Sequence, residues 1–173
     1  MFKELEILSQ GSAKTKAFKT PNYWNIVSIS APNEIVDFCG YEKSVCSVHF
    51  DDIDVAKDGR VLCTKEHIKE VIAYSEGINN EPLIVHCFQG ICRSSAIAFL
   101  IILNILKNDK SIKYPVDLAL EQLIKFKNIN CIYPNRFILN LGIEVLAKDT
   151  DQLIAWNREL YQSDIFNRIY NAR

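Results

Sequence analysis

Leu83-Ile84-Val85-His86-Cys87-Phe88-Gln89-Gly90-Ile91-Cys92-Arg93-Ser94 is the stretch on which the reading of this sequence turns. An apolar, β-branched run reads as a strand, a tight loop follows, and the apolar run Ala96 to Leu106 reads as a helix that starts where the loop ends. A strand, loop and helix start in that order build an anion site, because the loop amides and the positive end of the helix dipole converge on one point. Cys87 lies at that point, where amides and a cation favour its thiolate, a good nucleophile. Arg93 returns a planar guanidinium to the rim of the loop, with a fork that binds two phosphate oxygens together. Gly90, midway, takes backbone angles closed to other residues and lets the amides converge. Ser94 brings a hydroxyl near the sulfur, where it helps the thiolate to leave in a second step.

A Cys with an Arg six residues on is common by chance. Requiring also His86 before it, Gly90 three after it and Ser94 seven after it lowers the coincidence to on the order of one in 10⁵. Outward from the loop, Trp24 to Ile29, Ser44 to Phe50 and Pro82 to His86 read as strands of a central sheet. Thr64 is a candidate N-cap for a helix with Ile68, Val71 and Ile72 on one face, ended by Gly77. Helices follow at 94 to 107 and at Pro115 to Lys127, the latter with a stripe of Val116, Leu120, Leu123 and Ile124. Two more carry Phe137, Leu141 and Val145, then Leu153, Trp156 and Leu160. Strands interleaved with helices early and helices alone late predict an α/β fold, with a mostly parallel sheet flanked by helices and an α-helical C-terminal cluster.

The 173 residues, 49% of them hydrophobic, are enough for one core, and a single domain over 1–173 is expected, with its core at about 24–147 and a helical segment at about 150–173. Twenty Lys and Arg stand against 21 Asp and Glu, so no global field draws the chain to nucleic acid or an anionic membrane. The run Ala96 to Leu106 is about half of the roughly 20 residues that span a bilayer. Six cysteines without a C-x-x-C pair, and a start Met1-Phe2-Lys3-Glu4 without a signal-peptide pattern, lead us to expect a reducing, cytoplasmic setting and no structural metal.

His86-Cys87-x-x-Gly90-x-x-Arg93-Ser94 resembles the signature of the protein tyrosine and dual-specificity phosphatases. Pro134-Asn135-x-Phe137 before an amphipathic stretch is similar to the motif that opens the last core helix in dual-specificity phosphatases. With Phe50-Asp51-Asp52-Ile53 and the approach Pro82 to Cys87, the pattern over roughly 24–147 resembles the small bacterial-type tyrosine phosphatases. The resemblance implies a tyrosine phosphatase-like fold and a general acid, an aspartate on a loop upstream of the cysteine. Asp51, Asp52, Asp54 and Asp58 are the candidates. Asp52 is favoured because Phe50 to Ile53 falls where the second strand ends, at the carboxyl edge of the sheet. Cys92 is unusual before the arginine. It matches the loop of low-molecular-weight phosphatases, which carry that loop near the chain start, so convergent loop chemistry on a different fold accounts for it.

The expected chemistry is phosphate-monoester hydrolysis through a phosphocysteine. Cys87 attacks, Arg93 and the loop 88–92 (Phe88, Gln89, Gly90, Ile91, Cys92) hold the phosphoryl oxygens, Asp52 protonates the leaving group, and Ser94 steadies the returning thiolate. No metal or organic cofactor is required. His86 either tunes Cys87 or is a core histidine; His49 and His67 read as structural or exposed. Asn135 either touches the site loop or caps its helix. Cys92 either pairs reversibly with Cys87 against over-oxidation or is an inert small side chain. Positions 88, 89, 91 and 92 hold no lysine, which favours a phosphorylated protein or a small phosphate monoester over polyphosphorylated inositols as partner. Two other readings remain open at this point: a phosphate-binding module without turnover, and a thiol oxidoreductase of the arsenate reductase kind acting through Cys87 and Cys92.

Overall fold

The computed structural model describes residues 2–78 and 80–171. Its centre is a four-stranded, all-parallel sheet built from β1 (Leu5–Ser9), β2 (Asn25–Ser30), β3 (Ser44–His49) and β4 (Leu83–Cys87), in the spatial order β1-β4-β2-β3. Every residue of β2 and β4 is buried, the pattern of interior strands covered on both faces, which is why they read as unbroken apolar runs. At the edges, β1 and β3 have less to bury. β3 alternates, with Cys46 and Val48 inward. β1 offers only Leu5 and Ile7 around the charged Glu6. That pattern is too short to read as a strand from periodicity alone, so the three strands expected from the sequence become four.

The helices are α1 (Gln10–Lys19), α2 (Lys65–Gly77), α3 (Arg93–Leu106), α4 (Pro115–Phe126), α5 (Arg136–Leu146), α6 (Thr150–Gln162) and α7 (Asp164–Asn171). α1 and α7 add to those the periodicity predicts. α1 covers one face of the sheet through Ala13 and Ala17, which pack with Trp24, Ile26, Phe38 and Ile84. Every other helix contributes to the larger core on the opposite face, with Leu83, Val85 and Cys87 beneath it. α3 lies at the centre of that core, buried along nearly its whole length. It approaches α5 so closely that a Cβ on Gly142 would lie 2.1 Å from Leu100 Cδ1.

Thr64 caps α2 as expected, and the reciprocal bond to its own N–H comes from His67 Nδ1 at 3.1 Å, where Glu or Gln is usual. Gly77 does not end α2 as a left-handed cap. It is the last helical residue, Ile78 is the cap at φ −101°, and the left-handed position falls to Asn80 at φ 64°. Among the described residues no helix is long and apolar enough to cross a membrane.

Because all four strands run the same way, their carboxyl ends share one edge. Ser9 stands in register with Cys87, and Ser30 with His49. The loop after β4, the start of α1 and the Phe50-Asp51-Asp52 turn after β3 therefore meet there, the usual place for a ligand in such a sheet.

Candidate active site

The loop from Cys87 to Arg93 is closed by tight local geometry. Gly90 has φ +73°, and a Cβ there would lie 2.4 Å from Leu8 C and 2.5 Å from Leu8 O and Ser9 N, the backbone joining β1 to α1. Only glycine fits, because the backbone is left-handed and another main chain passes against it. Four loop carbonyls are taken from outside. Phe88 O accepts from Gln10 N–H (3.3 Å), Gly90 O from the Lys127 ammonium, Ile91 O from Tyr133 N–H (3.1 Å) and Cys92 O from Asn135 N–H (3.3 Å). The N–H and C=O of a trans peptide point opposite ways, so the N–H groups of Gln89, Ile91, Cys92 and Arg93 turn from those donors toward the inside of the loop. Gly90 N–H already points to the sulfur, at 3.2 Å from Cys87 Sγ. Ser94 Oγ stands 3.3 Å from the same sulfur.

α3 starts at Arg93 without a side-chain cap, as α4 does at Pro115, whereas α1, α2, α5 and α6 are capped by Ser9, Thr64, Asn135 and Asp149. First-turn amides without a capping side chain beside a buried sulfur have the arrangement that can receive an anion. Arg93 is buried and donates from Nη1 to Phe50 O at 2.7 Å. Its Nε is buried with no hydrogen-bond partner. A buried guanidinium donor without a partner is costly unless a ligand completes it.

The candidate acids separate clearly. Asp51 is buried, and its two oxygens accept from Val61 N–H and Arg60 Nη1, both at 2.8 Å. The Val61 bond, then the Arg60 and Arg93 charges, hold its carboxyl below the usual range. It pins the two ends of the 52–60 loop together, with its own N–H on Val61 O at 2.8 Å. Asp52 is exposed, and its Oδ1 accepts from Asn135 Nδ2 at 2.9 Å. Asn135 thus does both things the sequence left open. Its Oδ1 caps α5 by accepting from Ile138 N–H at 3.1 Å, while its N–H reaches Cys92 O. Two hydrogen bonds through one residue connect Asp52 to the cysteine loop. Asp52, Asp54 and Cys92 line a pocket of about 480 Å³ with Tyr133, Asn135 and Arg136. Asp58 is exposed further along the same loop.

Phe88 and Gln89 turn their side chains to solvent, with Phe88 65% exposed, so the loop presents its backbone inward. Ile91 and Cys92 are half-buried. His86 is fully buried on the face of β4 opposite Cys87, with its ring edge-on to Phe38 at 5.4 Å. Burial pushes its pKa down to about 4. His67 belongs to the α2 cap and lies against Phe50, and His49 bonds Ser30 Oγ at 2.8 Å. The residue that sequence reading misses is Lys127. The loop has no lysine of its own, but this one arrives from the end of α4, and nothing in the local pattern of that helix marks it.

No family model and no curated protein sequence matches the chain. Solved structures do. Human DUSP28 superposes with a TM-score of 0.56 at 15% identity, over 82% of this chain and 87% of that one. PTPMT1, solved in complex with PI(5)P, gives 0.58 at 12% identity over 88% and 94%. DUSP15 gives 0.54 at 18% identity over 91% and 92%. These neighbours are tyrosine and dual-specificity phosphatases, and the α/β fold expected from the strand and helix pattern and from the resemblance over roughly 24–147 is the one observed.

Proposed function

We propose that this chain, which has the fold of the tyrosine and dual-specificity phosphatases, hydrolyses phosphate monoesters through Cys87, with phosphotyrosine or another phosphorylated protein side chain as substrate. The observation that carries the reading is the sulfur itself. It is buried at the uncapped start of α3, accepts from Gly90 N–H at 3.2 Å, and has Ser94 Oγ at 3.3 Å.

A phosphoryl group entering the loop meets the inward amides and the Arg93 guanidinium, whose Nε has no other partner. The Cys87 thiolate attacks phosphorus in line, and the charge spread over the equatorial oxygens is met by donors already in place. Phosphoryl transfer asks mainly this of a protein. Asp52 protonates the departing phenol or alcohol. Asn135 occupies one of its oxygens and leaves the other for the proton. In the second step the same carboxylate takes a proton from water, the water oxygen attacks phosphorus, and the P–S bond breaks. Ser94 donates to the returning thiolate. Asp51 serves as a clamp on the acid-bearing loop, since both of its oxygens are already used.

The test is turnover of p-nitrophenyl phosphate and of a phosphotyrosine peptide by the wild type, Cys87→Ser and Arg93→Lys. Loss of turnover in Cys87→Ser with peptide binding retained is expected. Phosphopeptide binding without any wild-type turnover points to a binding module instead. Arsenate-dependent thiol consumption without phosphatase activity points to an oxidoreductase.

A further inference from the structure

The segment from Lys127 to Asn135 runs from the end of α4 to the start of α5 along the outer side of the cysteine loop. It delivers three donors to successive carbonyls, namely the Lys127 ammonium to Gly90 O, Tyr133 N–H to Ile91 O and Asn135 N–H to Cys92 O. The last two are backbone groups, which almost any residue supplies. The first depends on one side chain and carries a charge. Its carbonyl belongs to the left-handed Gly90, the residue whose own N–H is bonded to the sulfur. The lysine is half-buried, and burial holds its pKa below the usual lysine range while the Cys87 and Cys131 sulfurs oppose that shift. An ammonium with its stem in the protein is held in one place, unlike a surface lysine.

We propose that Lys127 is a positioning residue of the cysteine loop: it fixes the Gly90–Ile91 peptide with its carbonyl outward and its N–H inward, and adds a second positive charge within electrostatic reach of Cys87. The inference rests on Cys87 being the nucleophile. It assigns to the α4–α5 connector the task of keeping the loop shaped for an anion before substrate arrives. The charged groups around the loop are Arg93 of α3, Asp51 in the field of Arg93, and Asp52 and Arg136 in the pocket that Cys92 lines. Asp51 is neutralised by Arg60. On β4 itself His86 is buried and uncharged near neutrality, with Lys14 of α1 and Glu34 in its field. The neighbouring β1 places Ser9, which does not titrate, beside Cys87. Removing Lys127 therefore takes one positive charge from the surroundings of Cys87 and leaves Arg93 in place.

The experiment reads alkylation of Cys87 by iodoacetamide against pH, by mass spectrometry of the Cys87 peptide, in the wild type, Lys127→Met, Lys127→Gln and Lys127→Arg. The midpoint, not the rate, is the readout, because a more basic thiolate is also intrinsically faster. Loss of an opposite charge close by moves the midpoint to higher pH in Lys127→Met and Lys127→Gln, and Lys127→Arg recovers most of that shift. Inorganic phosphate, used as the protecting anion, then shields Cys87 less well in the two neutral variants, because one cation facing the anion is gone. Wild-type midpoints in all three variants, with only the melting temperature lowered, would show that Lys127 is a structural staple and overturn the proposal. If Lys127→Met does not fold, the Gln and Arg variants decide. A wild-type Cys87 that alkylates only in the range of an ordinary thiol, near pH 8.5, defeats the phosphatase reading itself, so the two failures are distinguishable.

Discussion

Replacing Gly90 with alanine tests the loop with a single methyl group. Two costs add. Alanine at φ +73° is in the left-handed region, which costs about 1–2 kcal/mol. Its Cβ would also lie 2.4 Å from Leu8 C, about 1 Å inside ordinary contact. The obstructing atoms are backbone, at the junction of β1 and α1, and cannot rotate away as a side chain would. Overpacking of this kind costs about 1–3 kcal/mol, so the total is about 2–5 kcal/mol if the loop holds its shape. If it yields instead, Gly90 N–H leaves the sulfur and the amides lose their common centre, and a displacement near 1 Å at a reacting group costs about 10²-fold in rate. Stability and activity are thus linked alternatives. The assay measures the urea midpoint and kcat/KM for p-nitrophenyl phosphate on the same Gly90→Ala preparation. A drop in one or both is expected. Wild-type values for both would refute the close approach of the loop to Leu8 and Ser9, and with it the inward-amide geometry.

The two neighbouring aspartates separate in opposite directions. Asp52→Asn lowers kcat by about 10²–10⁴ and removes the acid's limb from the pH–rate profile with little change in melting temperature, whereas Asp51→Asn weakens bonds to Arg60 and Val61 and costs about 1.5–3 kcal/mol of stability. Full activity in Asp52→Asn would reassign the acid to Asp54. Because the Asp51 carboxyl is held below its usual value, its stabilisation is present above about pH 3.8 and is lost as pH falls through its folded value. His86 acts over a higher window. Its folded value of about 4 lies below the ordinary 6.5, so the unfolded chain binds a proton that the folded one refuses, and stability falls by up to about 3 kcal/mol as pH drops from 6.5 to 4. Denaturant midpoints at pH 7 and 4.5 should show this slope, and a His86→Asn variant that keeps the slope unchanged counts against it. Gly142→Ala forces a Cβ onto buried Leu100 and should cost about 1–3 kcal/mol in thermal or chemical melts while leaving KM unchanged.

Residues 83 to 94 carry their own structure. The strand, the turn at Gly90, the helix start, the proposed nucleophile and its arginine lie within twelve consecutive positions, so local rules of propensity, turn geometry and helix dipole suffice to read them. The same holds for the apolar interior strands β2 and β4 and for the stripes of α2 to α6, since burial on both faces or on one stripe leaves a periodic mark. β1 leaves almost none. Its place at the sheet edge depends on pairing with β4, 78 residues away at Leu5 and Leu83. Phe50-Asp51-Asp52 contains two adjacent carboxylates that composition cannot tell apart. Arg60 and Val61 take Asp51, and Asn135, 83 residues from Asp52, takes the other. Lys127 reaches Gly90 across 37 residues in the same way. The identity of most segments and the place of the proposed chemistry were legible in the residues alone, because those properties follow from neighbours along the chain. Tertiary structure alone decided which distant side chain completes each hydrogen bond, because that choice is made by packing, after the segments exist.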